Sequence, residues 1–522
     1  MKLKFASSLI TSRALFVALA LIIALPPRAE GQHHHYKFID IGTLGGPNSY
    51  FSSAGFSAQV ITNRGVIAGY GDTPSPDPFS PNCFDVDCYL AHAFVWEKDN
   101  RTDLGALPGV NNSAVTQISR AGIVGFSENG QIDPLTQFPE FEAVFWQRGG
   151  IVPLGTLGGN ESLAISLNNH GQVIGVAANA IPDDFSMFGW GAQTRAFLFE
   201  NGTMQDLGTL GGPDAGGGPG NVNVVGTMSI NQNGQVAGAS YTNSIPDPIL
   251  KVPTTDPFLW EKTTGMRDLG TLGGTLGVVN FLNNHGQVVG QSYLAGNREA
   301  HAFLWNPPST TNKGGMTDLG TLGGLNSFPQ WISDSGEIVG AANTQNNRLH
   351  AALWQGGHIS DLGTVGNDGC SEAIAVNAGG QIVGQSFACT FSTIRAFIWE
   401  NGSIADLNTL IPPNSSLQLV FAANITDDGV IVGAGVPPGD PPNTDLYGRL
   451  FLLIPCDENH PGLDGCDYSM VGVAETVPAP PVFQNRPSLP PSMLWHRNNR
   501  FRASQHSGPE TEQSRNKEGD TP

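Results

Sequence analysis

An aspartate followed by Leu-Gly-Thr-Leu-Gly-Gly occurs verbatim at Asp206, Asp268 and Asp318. Near copies begin at Asp40, Asp103, Pro153, Asp361 and Asp406, which makes eight. Regularly placed carboxylates suit two kinds of chemistry. Acids with pKa values driven apart can act as general acid and base, and several carboxylates together can hold calcium. The local pattern supports neither, because no DxDxDG loop is present and successive copies lie 43 to 63 residues apart. A short acid at a strand end also accepts backbone N–H groups from the turn that follows. The glycine behind it then supplies a positive φ. This structural role is the expectation for Asp40, Asp103, Asp206, Asp268, Asp318, Asp361 and Asp406.

Trp96, Trp146, Trp260, Trp305, Trp354 and Trp399 hold one position in a second recurring motif, seen as HAFLW at His301. Rings at that position suit carbohydrate stacking or the packing of one unit on the next, and packing is the expectation. The residue opening the motif varies among His92, Arg195, Asp256, His301, His350 and Arg395. One such residue per unit spreads them too far apart for a shared metal, so exposed strand starts are expected. No GxSxG elbow, HExxH, Walker loop or repeated Asp-box is present. No cofactor is implied.

The elements that carry these residues are short strands. Between Asp268 and Asp318, Val278 to Leu282 leads into the turn Asn283-Asn284-His285-Gly286, then Gln287 to Gln291, His301 to Trp305 and Met316 to Leu319. Apolar residues alternate in runs of four to six bounded by Gly, Asn and Pro, the signature of strands. Four strands in ~40 to 50 residues is the period of a propeller blade. The motif GQVVG at Gly286 recurs eight times, as does HAFLW.

The order of the pieces adds a topological expectation. The first Asp-Leu-Gly copy, Tyr36 to Ile41, precedes any other strand, and the last third strand, Arg449 to Leu453, has no such copy after it. Pairing the two leaves no open sheet edge. The sequence therefore predicts an all-β fold: an eight-bladed β-propeller of four-stranded antiparallel blades over 36–455, closed by the N-terminal strand pairing into the last blade. A seven-bladed ring and an open stack are the alternatives.

Lys2, Lys4 and Arg13 precede an apolar run from Ala14 to Leu25, which reads as a signal peptide over residues 1–29. Twelve apolar residues are too few to span a bilayer, which needs ~20, so cleavage and export are expected over an uncleaved anchor. The mature chain is then not membrane-spanning. His33, His34 and His35 follow, a metal tract or, as expected, a mobile terminus. The six cysteines form three local pairs, Cys83 with Cys88, Cys370 with Cys389 and Cys456 with Cys466, the expected disulfides of an exported protein. A disulfide-containing extension is expected over 456–476 and a disordered tail over 477–522, where Pro, Arg, Asn, Ser and Gln dominate.

Formal charge is −20, and removing residues 1–29 leaves −24. Such a surface repels phosphate backbones, which excludes nucleic acid as a partner. The connections between second and third strands are long in the first four units, at 70–90, 127–141, 177–194 and 239–255, and these are the expected place for a ligand or partner.

The recurring HAFLW, GQVVG and DLGTLGG stretches resemble a bacterial extracellular repeat family named HAF after its His-Ala-Phe motif. The resemblance covers about Tyr36 to Leu453. Pro153, Phe199 and Asp256 depart from it at single positions. It implies export and a repeat fold, and no reaction. The expected function is a secreted, monomeric, non-enzymatic binding or scaffold module whose partner is an unknown extracellular protein or glycan. The alternative is a secreted polysaccharide hydrolase or lyase with acids in the funnel of the ring.

Overall fold

Each repeat folds as an antiparallel sheet whose strand lengths follow the turn residues between them. In the unit over 273–318, Gly273–Leu282 pairs with Val288–Leu294, which pairs with Ala300–Asn306, which pairs with Gly315–Asp318. The first strand starts at the paired glycines of DLGTLGG, so that motif ends one sheet and begins the next. The computed structural model describes residues 32–472, except 52–58, 81–82, 86, 148–149, 220–225, 311–312 and 441–447. The expected leader over 1–29 and tail over 477–522 lie outside the described residues. No α-helix occurs among the described residues, and none of their helices is long and apolar enough to cross a membrane.

Among the described residues, six sheets have four strands each, and one has nine. The nine-stranded sheet divides at a single parallel bridge, Thr255 to Leu276, into two groups with the same internal order as the others. In chain order the units cover 49–105, 113–153, 158–206, 215–268, 273–318, 323–363, 370–406 and 418–455. The first strands of neighbouring units lie beside one another, so they form the inner layer. No single sheet closes on itself.

The last unit takes its fourth strand from the start of the chain. Tyr36–Gly42 pairs antiparallel with Arg449–Pro455, with Tyr36 opposite Pro455 and Asp40 opposite Phe451. Unit one also touches this sheet directly: Ser49 N donates to Gly448 O at 2.8 Å, and Leu450 N donates to Ser49 Oγ at 3.0 Å. Gln32–His34 forms a separate ribbon with Met470–Gly472. His33 is buried there, with its Nδ1 2.9 Å from Glu400 Oε1. The histidine tract is therefore anchored by strand pairing, contrary to the loose terminus expected.

One glycine in each unit has a specific steric task. In six units the inner strand carries a bulge, with the extra residue Thr116, Ile165, Asn280, Gln330, Ile374 or Ala423. The bulge always begins opposite the last glycine of the GQVVG motif. A Cβ on Gly290 would meet the carbonyl of Val278 at 2.0 Å, and one on Gly384 would meet that of Glu372 at 2.0 Å. Glycine thus makes room for the displaced carbonyl, and the bulge re-aims the side chain that follows.

Between units the packing is apolar. Phe94, Phe197, Phe258, Phe303, Phe397 and Phe451 are fully buried. Trp96, Trp146, Trp260, Trp305 and Trp354 are buried, and Trp399 is half-buried. Trp354 Nε1 donates to Leu319 O of the preceding connection at 3.0 Å. Disulfides join Cys83 to Cys88, Cys370 to Cys389 and Cys456 to Cys466. They fit an extracellular or periplasmic location.

Candidate functional site

The Asp-Leu-Gly carboxylates cap their own turns. Gly105 N donates to Asp103 Oδ1 at 2.7 Å, and Gly42, Gly208, Gly270, Gly320 and Gly363 repeat the bond at 2.7–2.9 Å. Those glycines have φ between 68° and 84°. Asp406 accepts instead from Asn408 N at 2.9 Å. Where Pro153 replaces the acid, Glu142 reaches across from the third strand and takes the Gly155 N–H at 3.1 Å.

Glu142 occupies the variable position that opens the HAFLW motif. In the other seven units that position faces the Asp-Leu-Gly acid, so these residues are partnered across strands where simple exposed strand starts were expected. His92 pairs with Asp103 at 3.0 Å, His301 with Asp318 at 3.0 Å and His350 with Asp361 at 2.9 Å. Arg395 pairs with Asp406 at 3.2 Å and Arg449 with Asp40 at 3.1 Å, while Arg195 stands 3.9 Å from Asp206. Partial burial pulls Asp103 and Asp361 upward, but the histidine and glycine hydrogen bonds outweigh it and hold both carboxyls below their ordinary value. In the fourth unit both partners are acids. Burial, then the Asp268 charge and hydrogen bond, push Asp256 up to about 7. These pairs are spread one per unit, and among the described residues no group of three or more His, Cys, Asp or Glu is placed to hold a metal.

A second set of acids sits under the long connections. Asp72 lies beneath Tyr50 and Asp87: Asn48 N donates to Asp72 Oδ2 at 2.8 Å, and Tyr50 Oη donates to Asp87 Oδ2 at 2.8 Å. Burial and the Asp87 charge push Asp72 up to about 8. Burial likewise raises Glu128 to about 7 and Asp214 to about 8, and lifts Glu161 well above the usual range. All four are 2% exposed or less. Each accepts a backbone N–H, as Glu161 does from Phe141 at 2.7 Å. A carboxyl sealed in this way holds a loop and cannot reach a polymer.

The long connections extend the second and third strands beyond the other units. Pro76 pairs with Tyr89, Ile132 with Pro139, Pro182 with Ala192 and Pro246 with Pro253. Their tips share an aspartate cap: Phe79 N donates to Asp77, Leu135 N to Asp133, Phe185 N to Asp183 and Ile249 N to Asp247, at 2.6–2.8 Å. Apolar side chains stand outside the cap, with Leu135 63%, Ile245 73% and Ile249 61% exposed.

The cavity lies at the other end of the same strands. About 550 Å³ in volume, it is lined by residues from all eight units, at the turns joining first and second strands. In these turns a leading asparagine caps its own unit and bridges to the next. Asn283 Oδ1 accepts from Gln287 N at 3.0 Å, and its Nδ2 donates to Ser333 O at 3.0 Å. Asn168, Asn231 and Asn377 make the same bridge to Asn231 O, Asn283 O and Thr426 O. The next residue accepts from the preceding unit: Asn169 N to Gln232, Gln232 N to Asn284, Asn284 N to Asp334, and Ala378 N to Asp427. The sequence displayed these turns as N-x-x-G, but a turn signal does not reveal which chain segment its spare amide will meet.

Solved structures similar to this chain include a Mycobacterium tuberculosis puromycin-hydrolyzing peptidase, at 11% identity and a TM-score of 0.39 over 77% of this chain and 63% of that one. Porphyromonas gingivalis dipeptidyl peptidase 4 gives 11% identity and a TM-score of 0.45 over 77% and 57%. TolB from Acinetobacter baumannii gives 9% identity and a TM-score of 0.30 over 66% and 78%. The chain spans less than two thirds of the length of the two peptidases. No family model matches the chain, and no curated protein matches it.

Proposed function

We propose that this chain is an exported, HAF-type β-propeller of eight blades, closed by Tyr36–Gly42, that binds a ligand or partner and does not turn it over. The observation that carries the binding reading is the cavity shared by all eight units, whose mouth acids are committed to structure. Asp334 accepts from Asn284 through both oxygens, and Asp427 accepts from Ala378 N. The acids with raised pKa values lie elsewhere, and those nearest a carboxylate partner are sealed from solvent or paired across strands. Residues shared among eight first strands make a rigid ring of donors and acceptors, which suits recognition. Supporting the closed ring are the pairing of Tyr36–Gly42 with the last unit and the two backbone bonds at Ser49. Export is supported by the disulfides and by the leader-like sequence of residues 1–29.

The test is to probe polysaccharides, cell-wall fractions and secreted proteins with the full chain, and to analyse every retained ligand for cleavage. Retention of an intact ligand is expected. Release of shortened product would replace this reading with that of a hydrolase or lyase.

A further inference from the structure

The inner-strand bulges re-aim one side chain per unit beside the cavity. In five of the six bulged units the residue after the bulge lines it: Gln117, Phe281, Trp331, Ala375 and Asn424. Three of these are small or carry amides. The other two, Phe281 and Trp331, are neighbours, and their rings stack with centroids 4.0 Å apart and planes at 27°. Both are half-buried, so part of each ring faces the cavity. Phe281 also packs against the buried cluster around Val289 and Ile332, and Trp331 against that around Val339 and Phe397, which fixes both rings in place while their uncovered part borders the cavity.

The polar lining has a consistent chemistry. Asn169, Gln232, Asn284 and Asn424 supply amides, and Asp334 and Asp427 supply carboxylates. Among the described residues, no Lys, Arg or His lines the cavity. An anionic ligand would meet two carboxylates and no counter-charge, which costs affinity. Aromatic surface beside amides and carboxylates matches a sugar ring, whose C–H groups pack on aromatics while its hydroxyls both donate and accept. Resting on the binding reading above, we infer that the cavity is a site for an uncharged saccharide, with Trp331 and Phe281 as its apolar contact surface. The volume lies within the range of ligand pockets.

The experiment uses the full chain with neutral gluco-, manno- and xylo-oligosaccharides and with oligogalacturonate as the anionic control, read by saturation-transfer NMR. Oxidative footprinting of the unmodified protein follows Trp331 with and without each sugar. A neutral oligosaccharide should bind and shield Trp331, while oligogalacturonate should not. Trp331→Ala and Phe281→Ala should each weaken binding by about tenfold, and Trp331→Phe by no more than about threefold. If the alanine variants do not fold, the footprint decides. Binding of oligogalacturonate alone, neutral binding that leaves Trp331 unshielded, or no saccharide binding would overturn the assignment. Capture of a non-saccharide partner without sugar binding would overturn the cavity assignment and leave the binding function standing. Cleavage of a sugar that shields Trp331 would support the cavity assignment and overturn the non-enzymatic reading.

Discussion

Arg449 Nη1 lies 3.1 Å from Asp40 Oδ2, joining the first repeat strand to the last. Asp40 also accepts from Gly42 N at 2.9 Å and from Ser416 Oγ at 2.8 Å. One carboxylate therefore serves its own turn, the neighbouring strand and the connection before the last unit. Asp40→Ala should lower stability by about 1–2 kcal/mol, mostly through the unpaired Gly42 N–H. Arg449→Ala removes a partly exposed pair and should cost about 0–1 kcal/mol. Urea midpoints of the two variants test this order, and an equal loss in both would contradict it.

Removing the strand itself has a larger effect. Deletion of residues 36–42 uncovers the edge of Arg449–Pro455, whose unpaired backbone groups then seek another strand. The deletion variant should self-associate in size-exclusion chromatography, and a peptide of sequence YKFIDIG added in trans should return it to monomer. A monomeric deletion variant with an unchanged melting profile would show that the edge is not held by this strand.

The Asp256–Asp268 pair makes a pH-dependent prediction. Asp256 is pushed up to about 7 in the folded protein from an ordinary 3.8, so the folded state binds a proton that the unfolded state releases. Stability at this site is full below pH ~4, falls as pH rises through 7 and is flat above. Asp256→Asn keeps a neutral partner, so its advantage over the native protein should grow from pH 4 to 7 and then level off. Asp256→His recreates the His–Asp pair of the first, fifth and sixth units and should stabilise at pH 7 by about 0.5–1 kcal/mol. Thermal melts across pH 4–8 check both, and parallel pH curves for the native protein and Asp256→Asn would refute the shared proton.

The asparagine bridge between turns predicts opposite effects at two equivalent positions. Asn283→Ala removes the cap on Gln287 N and the bond to Ser333 O, and should cost about 1–3 kcal/mol. Ser333 occupies the same place in the next unit with no amide to give. Ser333→Asn should gain about 0.5–1 kcal/mol by bridging to the turn at Asn377. Chemical denaturation of both variants tests the pair, and a neutral Asn283→Ala would show that the bridge carries no stability.

Leu135, Ile245 and Ile249 at the tips of the long connections are exposed and belong to none of the buried clusters, although Leu250 beside them packs inward. Leu135→Ser with Ile245→Ser should change stability by less than about 0.5 kcal/mol. The same variant should elute earlier from a hydrophobic-interaction column. A marked drop in melting temperature would mean that the tips pack against the fold.

Much of this architecture was legible in the linear order of motifs. The spare strand at Tyr36 and the strandless end at Arg449 could be matched without coordinates, because a missing piece at one end had its counterpart at the other. The cross-strand pairing of the HAFLW opener with the Asp-Leu-Gly acid was not legible. His92 and Asp103 are 11 residues apart and His301 and Asp318 are 17, since the turn between third and fourth strands varies in length. Spacing therefore hides a contact that strand register keeps constant. The cavity was hidden for another reason: a bulge changes the face on which Phe281 and Trp331 emerge, and simple alternation assigns them otherwise. The long connections drew attention by length alone, and they lie at the other end of the strands from the cavity.

The Gln32–His34 ribbon and the Tyr36–Gly42 ladder share a geometry with a mechanical consequence. In both, the residue nearest the start of the chain lies opposite the residue nearest its end: Gln32 opposite Gly472, and Tyr36 opposite Pro455. Tension applied between the two ends would load one rung at a time and peel both ladders like a zip. A joint whose bonds all act together in the resting fold would therefore break bond by bond under pulling, first at the ribbon and then at the strand that completes the last unit.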